Sequence, residues 1–352
     1  MPLDKYSRTI VDLILYEKAG DLNNLKLEKL LVCASHNRVL YELAKKIIKI
    51  GNFPDDWETP LDAIICEGEK NIKALNNTLQ VIEQICSENK IPYLIVKTYK
   101  FIEFITFDVD LLVHYNDFEK AIEAFEKNNF AIKPHPGKNT QGLHQRNLHK
   151  EGLLNIDLHR KFFWLGIEHL DEEYIWHNTQ YQTIAGLKTP IPSFETDFLL
   201  NNKQLAYERN YITLLDFLAI KYAYEKVNWE EIKTKVSQFN WTIGFNILEK
   251  RLDNMHLEIF GNSLFGKAHK SKARKLPLFL NQMEATKIFC EILFKHKRFA
   301  VFEYLYFIFS KLRYNISDRI GYYDHWFDMK IWFPNKKYIY ANPIIQGKKD
   351  KQ

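Results

Sequence analysis

The sequence predicts an α+β fold, a small mixed sheet flanked by helical N-terminal and C-terminal regions. Three observations predict it. Up to about position 90, apolar residues recur at threes and fours. Between 91 and 162, short β-branched runs surround a single helical stretch, and from about 190 the helical period returns. The organisation expected is a helical region at 1–90, a sheet-bearing core at 91–190 and a second helical region at 191–352. A chain of 352 residues has room for two or three domains, at ~100–200 residues each.

The elements can be read in order. Leu27, Leu30, Leu31 and Ala34, then Leu40, Leu43, Ala44 and Ile47, form apolar stripes of amphipathic helices. The stretch GNFPDDWETP breaks the pattern, and Ile72, Leu75, Leu79, Ile82 and Cys86 mark a further helix. IPYLIVKT (91–98) reads as a short buried strand and TFDVDLLVHY (106–115) as a second. Asn116 and Glu119 have capping-box spacing for a helix with Phe118, Ala121, Ile122 and Phe125 on one face, ending at Asn128–Asn129. AIKPHP, LHQRNLHKE and LLNIDLHRKF supply a third, fourth and fifth strand. Beyond Pro190–Pro192, Leu214, Leu215, Leu218 and Tyr222 share a helical face, and Asn228 with Glu231 starts another helix.

Composition narrows the function classes. Hydrophobic residues make up 46% and charged residues 26%, ordinary for a globular protein. A net charge of +5 favours anionic partners only weakly. Cys33, Cys66, Cys86 and Cys290 are scattered, without zinc or disulfide spacing, which suits a reducing, cytoplasmic setting. The N-terminus lacks the order of a signal peptide, and no run approaches the ~18–20 apolar residues of a membrane span. Seven of the twelve histidines fall between 114 and 177, yet no HxxxH lies on a predicted helix.

The chemistry concentrates in TFDVDLLVHY. Alternation puts Asp108 and Asp110 on one face, with Val109, Leu111 and Val113 on the other. Two carboxylates that close repel, so a positive group is expected between them. Asp157 sits in a second apolar strand, with His159 on the same face two residues later. If the strands are neighbours, three carboxylates converge. Such oxygen donors suit Mg²⁺ or Mn²⁺, which keep positions open for water and phosphate. Two such ions can assist an in-line phosphoryl or nucleotidyl transfer.

A helix, a strand, DxD in an apolar strand, a helix and a later strand with a single Asp resemble the nucleotidyltransferase superfamily. The chain looks most like a family of uncharacterised nucleotidyltransferase-like proteins, through VKT at 96–98, DVDLLV at 108–113, AFEKNNF at 124–130 and IDLH at 156–159. The resemblance spans roughly residues 25–230. It implies that Asp108, Asp110 and Asp157 are the catalytic, metal-binding carboxylates, and that a nucleoside monophosphate moves to an unidentified acceptor with release of pyrophosphate. The superfamily usually carries Gly-Ser after the first strand, where backbone N–H groups approach the phosphates. Here Lys97 and Thr98 stand there, offering a charge and a hydroxyl, and residues 101–107 lack the arginine usual before the DxD.

Further phosphate-binding candidates are Arg146, Lys150 and His159, with His144 and His149 nearby; these residues either line the cleft opposite the aspartates or decorate a strand and hairpin. Residues 267–298, rich in lysine and arginine, could hold a nucleic-acid acceptor or form a solvated face. The acceptor, whether small molecule, protein or RNA, is not readable. A competing reading is a nucleotide-sensing or RNA-adaptor protein that keeps the fold after losing the phosphate loop.

Overall fold

The computed structural model describes residues 3–266 except 19, 21, 99–103, 135–143, 165–166, 169, 178 and 209–210, and beyond these only 278–279, 284, 287–288 and 290–291. Helices α1 (Lys5–Tyr16), α2 (Leu27–His36) and α3 (Leu40–Ile50) lead into α4 (Glu58–Glu88), a helix of 31 residues. The core follows as β1 (Tyr93–Val96), β2 (Asp108–Val113), α5 (Phe118–Lys127), β3 (Ala131–Pro134), β4 (Gln145–His149) and β5 (Asn155–His159). The five strands lie in the order β1-β2-β5-β4-β3, with β2 and β5 parallel and every other pair antiparallel. The expected mixed sheet with helical flanks is the fold observed.

The sheet separates two apolar clusters. On one face Val109, Leu111, Val113, Ile156 and Leu158 pack against Phe118, Ala121 and Phe125 of α5 and against Leu79, Ile82 and Cys86 of α4. On the other, Leu94, Val96 and Leu112 join a cluster that unites α1, α2 and α3 with the later helices Phe194–Lys203, Leu214–Tyr224, Trp229–Gln238 and Thr242–Phe260. The N-terminal and C-terminal helices therefore share one core. The long α4 serves both clusters, with Leu61 and Ile64 in the helical one and its second half under the sheet.

Gly68 lies where α4 crosses α3. A Cβ there would overlap the Tyr41 ring, which is itself buried. Alanine is worth ~1 kcal/mol over glycine within a helix, but overpacking a dense contact costs about 1–3 kcal/mol. Gly68→Ala is thus expected to lower the urea midpoint. A raised midpoint would mean that Tyr41 swings clear at no cost.

Several boundaries differ from the sequence reading. The capping box expected at Asn116 is absent: Tyr115–Asp117 form a 3-10 turn, and Asp117 precedes α5 without a side-chain cap. Asn228 does cap its helix, accepting the N–H of Glu230 at 3.1 Å. A hairpin of Gln180–Ile184 and Leu187–Ile191, not anticipated as strands, turns through Ala185 and Gly186, both at positive φ. No helix among the described residues is long and apolar enough to cross a membrane. The Lys/Arg-rich segment 267–298 lies outside the described residues, apart from the few positions named above.

Candidate active site

The site is built where β1 ends. Lys97 adopts φ +56°, in the left-handed region that glycine occupies freely and lysine does not. The Thr98 N–H donates back to the Val96 carbonyl at 2.5 Å, closing a tight turn around Lys97. The Thr98 hydroxyl is engaged within the sheet, accepting the Asp110 N–H at 2.8 Å and donating to the Val96 carbonyl at 3.2 Å. Ahead of β2, Asn71 of α4 clasps Thr106 by its N–H and its carbonyl, at 3.1 and 2.6 Å. These bonds fix both ends of the connection leading into β2.

Parallel pairing of β2 with β5 sets Asp110 directly beside Asp157, with Asp108 beside Asn155 and Leu112 beside His159. Side-chain alternation then puts Asp108, Asp110, Asp157 and His159 on the same face. One ligand atom each from Asp110, Asp157 and His159 lies within 4.8 Å of the others. The expected trio was Asp108, Asp110 and Asp157; the tight cluster instead contains His159, and Asp108 sits exposed at the strand start.

The positive group expected among the carboxylates is present. The Lys97 ammonium lies 3.4 Å from Asp110 Oδ1, and His159 Nε2 hydrogen-bonds the same oxygen at 2.9 Å. Phe162 forms the floor, its ring 4.7 Å from the Lys97 ammonium and 4.7 Å from the His159 ring. Burial opposes ionisation of Asp110, yet Lys97 and His159 outweigh it and hold the carboxyl well below the usual range. Asp157 receives less help. Burial, then the charges of Asp110 and Asp108, push its pKa up to about 7 against Lys97 and a 3.0 Å hydrogen bond from Gln145 Nε2.

A carboxyl with a raised folded-state pKa stabilises the fold when protonated, and that contribution is lost as pH rises through the folded value. The metal-free protein is therefore expected to gain stability as pH falls from about 8 to about 5. Asp157→Asn should flatten that slope in melting curves taken across the range. An unchanged slope would place the titration elsewhere.

The sheet does not bring all candidates to this face. Arg146 pairs with Leu158 in the register, so it points to the α5 side, where its guanidinium lies 5.9 Å from the Phe118 ring. Lys150, past the end of β4, donates to the Asn128 carbonyl at 2.9 Å and lies over Phe130. His149 bonds Asn155 Oδ1 at 2.9 Å, and His144 accepts from Arg160. Of the basic candidates, Lys97 and His159 are at the carboxylates, while Arg146 and Lys150 serve the strand and hairpin.

Two residues on the carboxylate face went unread in the sequence. Gln145 is buried at 7% exposure and orients Asp157. Asn147, the register partner of Asp157, has its side-chain carbonyl oxygen buried without a hydrogen bond. The signal was available: with Leu148 facing the core, alternation puts Gln145 and Asn147 on the polar face.

The donor set fits a hard divalent cation: two carboxylates from adjacent strands, with an imidazole at hand. The carboxylates sit on neighbouring strands of a mixed sheet, one of them a DxD strand. The family described as "Uncharacterised nucleotidyltransferase" matches residues 23–245, and the chain belongs to it. No curated protein matches the sequence. Among solved structures, a lincomycin-bound lincosamide antibiotic adenylyltransferase is similar at 15% identity and TM-score 0.31, over 42% of this chain and 94% of that one. The antibiotic-resistance factor ANT(2'')-Ia is similar at 12% identity and TM-score 0.34, over 47% and 93%.

Proposed function

We propose that this protein is a divalent-metal-dependent nucleotidyltransferase, using Mg²⁺ or Mn²⁺, that moves a nucleoside monophosphate from a nucleoside triphosphate to an acceptor and releases pyrophosphate. The observation that carries the reading is the parallel register of Asp110 with Asp157, which sets their carboxylates side by side beneath Lys97. Asp110 and Asp157 would hold the cation, with Asp108 at the strand entrance toward the triphosphate. When bound, the cation supplies charge neutralisation on the phosphates.

The chain's own residues account for the remaining chemistry. An acceptor oxygen attacks the α-phosphorus, and the bond from that phosphorus to the bridging oxygen breaks, with pyrophosphate leaving on its electron pair. Asp157 takes the acceptor proton as general base, placed for it on the carboxylate face beside Asp110. Gln145 holds Asp157 in place for it. Lys97 neutralises the triphosphate, while Thr98 keeps its hydroxyl within the sheet and fixes the Lys97 turn. The proposed setting is the reducing cytoplasm, consistent with the scattered cysteines.

Incubating the purified protein with each α-labelled nucleoside triphosphate, Mg²⁺ or Mn²⁺ and a cell extract tests the reading. The expected result is a labelled acceptor with equimolar pyrophosphate. Nucleotide binding without pyrophosphate release, across all nucleotides and extracts, would replace it with a nucleotide-sensing role.

A further inference from the structure

We propose that Lys97 is a displaceable internal counter-cation, which holds the cation position beside Asp110 until a divalent ion enters and then turns its ammonium away from the carboxylates. The inference rests on the metal-site reading above, and concerns what the site does before it is loaded.

Three features carry it. The first is position: the ammonium lies 3.4 Å from Asp110 Oδ1, with 15% of the Lys97 side chain and 20% of the Asp110 side chain exposed. The second is aim. The left-handed backbone at Lys97 is an unfavourable conformation for a lysine, held by the Thr98 turn, and it delivers the ammonium onto the Phe162 ring at 4.7 Å. The third is looseness. A tight ammonium–carboxylate hydrogen bond is about 2.7–2.9 Å long, so the 3.4 Å contact to Asp110 is a long one. His159 makes the short bond to the same oxygen.

Charge decides the direction of exchange. Asp108, Asp110 and Asp157 bring three carboxyl groups to one face, and among the described residues Lys97, with its one charge, and His159 face Asp110. A divalent ion offers the same oxygens twice that charge, and its presence makes the lysine position repulsive. The four-carbon stem pivots without moving the turn, because the Val96–Thr98 bond fixes only the backbone. Lys97 therefore competes with the ion for Asp110, and becomes available to phosphate oxygens only when it loses.

The test uses Mn²⁺ alone, titrated into the full-length protein and followed by the electron-paramagnetic signal of the free ion. Lys97→Met keeps the stem and removes the charge, and is expected to bind Mn²⁺ about five- to tenfold more tightly than the wild type. Lys97→Arg should stay close to the wild type. Equal or weaker Mn²⁺ binding by Lys97→Met overturns the exchange while leaving the metal site standing. A wild type that binds no Mn²⁺ removes the site and the exchange together. A second measurement does not depend on the variant folding: in wild-type protein, the Lys97 ε-methylene resonance should be ring-shifted by Phe162 and should move toward its solvent value on adding Mg²⁺. A resonance that stays ring-shifted at saturating Mg²⁺ also overturns the exchange.

Discussion

Asp110→Asn is expected to abolish the rise in melting temperature on adding Mg²⁺ or Mn²⁺, and to reduce nucleotidyl transfer by about a thousandfold. Asp110 is the carboxylate on which the site converges, facing Asp157 across the strand pair and carrying both Lys97 and His159 on one oxygen. The amide keeps the shape and removes the charge that a cation needs. Metal stabilisation of a phosphoryl transition state is worth several kcal/mol, and each ~1.4 kcal/mol is tenfold in rate. Differential scanning with and without metal, and a pyrophosphate-release assay, read the two effects. A metal-induced shift that survives in Asp110→Asn would move the ion elsewhere.

The same substitution separates two kinds of carboxylate. From the sequence alone, relief of repulsion is expected at Asp110. The structure puts that relief at Asp157, because Lys97 and His159 favour the Asp110 anion while burial and its acidic neighbours oppose the Asp157 anion. Without metal, Asp157→Asn should therefore stabilise the fold near neutral pH and Asp110→Asn should weaken it.

How much of this was legible can be judged residue by residue. DVDLLV and IDLH could be read because alternation in a half-buried strand is a local property, and an aspartate inside an apolar run must face something polar. Whether these strands are neighbours is left open by the sequence, and the parallel pairing of β2 with β5 decides it. The face of Arg146 was readable from Leu148 by the same alternation, but its positive charge drew it toward the phosphates instead. The Ala185–Gly186 turn lacks the Asn-Gly or Asp-Gly that usually flags a tight hairpin, so its strands passed unnoticed. The Asn71 clasp on Thr106 joins residues 35 apart, and the Glu291 carboxylate accepts the N–H groups of Ile243 and Gly244 from 48 and 47 residues away. No local pattern encodes such contacts; they exist only once packing has brought the elements together.

Phe118→Ala should cost about 3–5 kcal/mol of stability while leaving Mn²⁺ affinity in the folded protein unchanged. Phe118 opens α5 with no solvent exposure and packs in the cluster that contains Val109, Leu111, Ile156 and Leu158. Those strand residues alternate with the carboxylates, so Phe118 supports the sheet from the face opposite the site. Its ring also underlies two guanidinium groups, Arg160 at 5.2 Å and Arg146 at 5.9 Å, contacts worth ~0.5–1 kcal/mol each when exposed. Removing the ring leaves a cavity beneath both arginines, a large loss against a total stability of about 5–15 kcal/mol. Urea unfolding measures the cost. Mn²⁺ titration at a temperature where the variant is folded measures the rest. Reduced Mn²⁺ affinity in fully folded Phe118→Ala would show that Arg146 and Arg160 act on the carboxylates through the sheet, and would return Arg146 to the site from which its strand register excludes it.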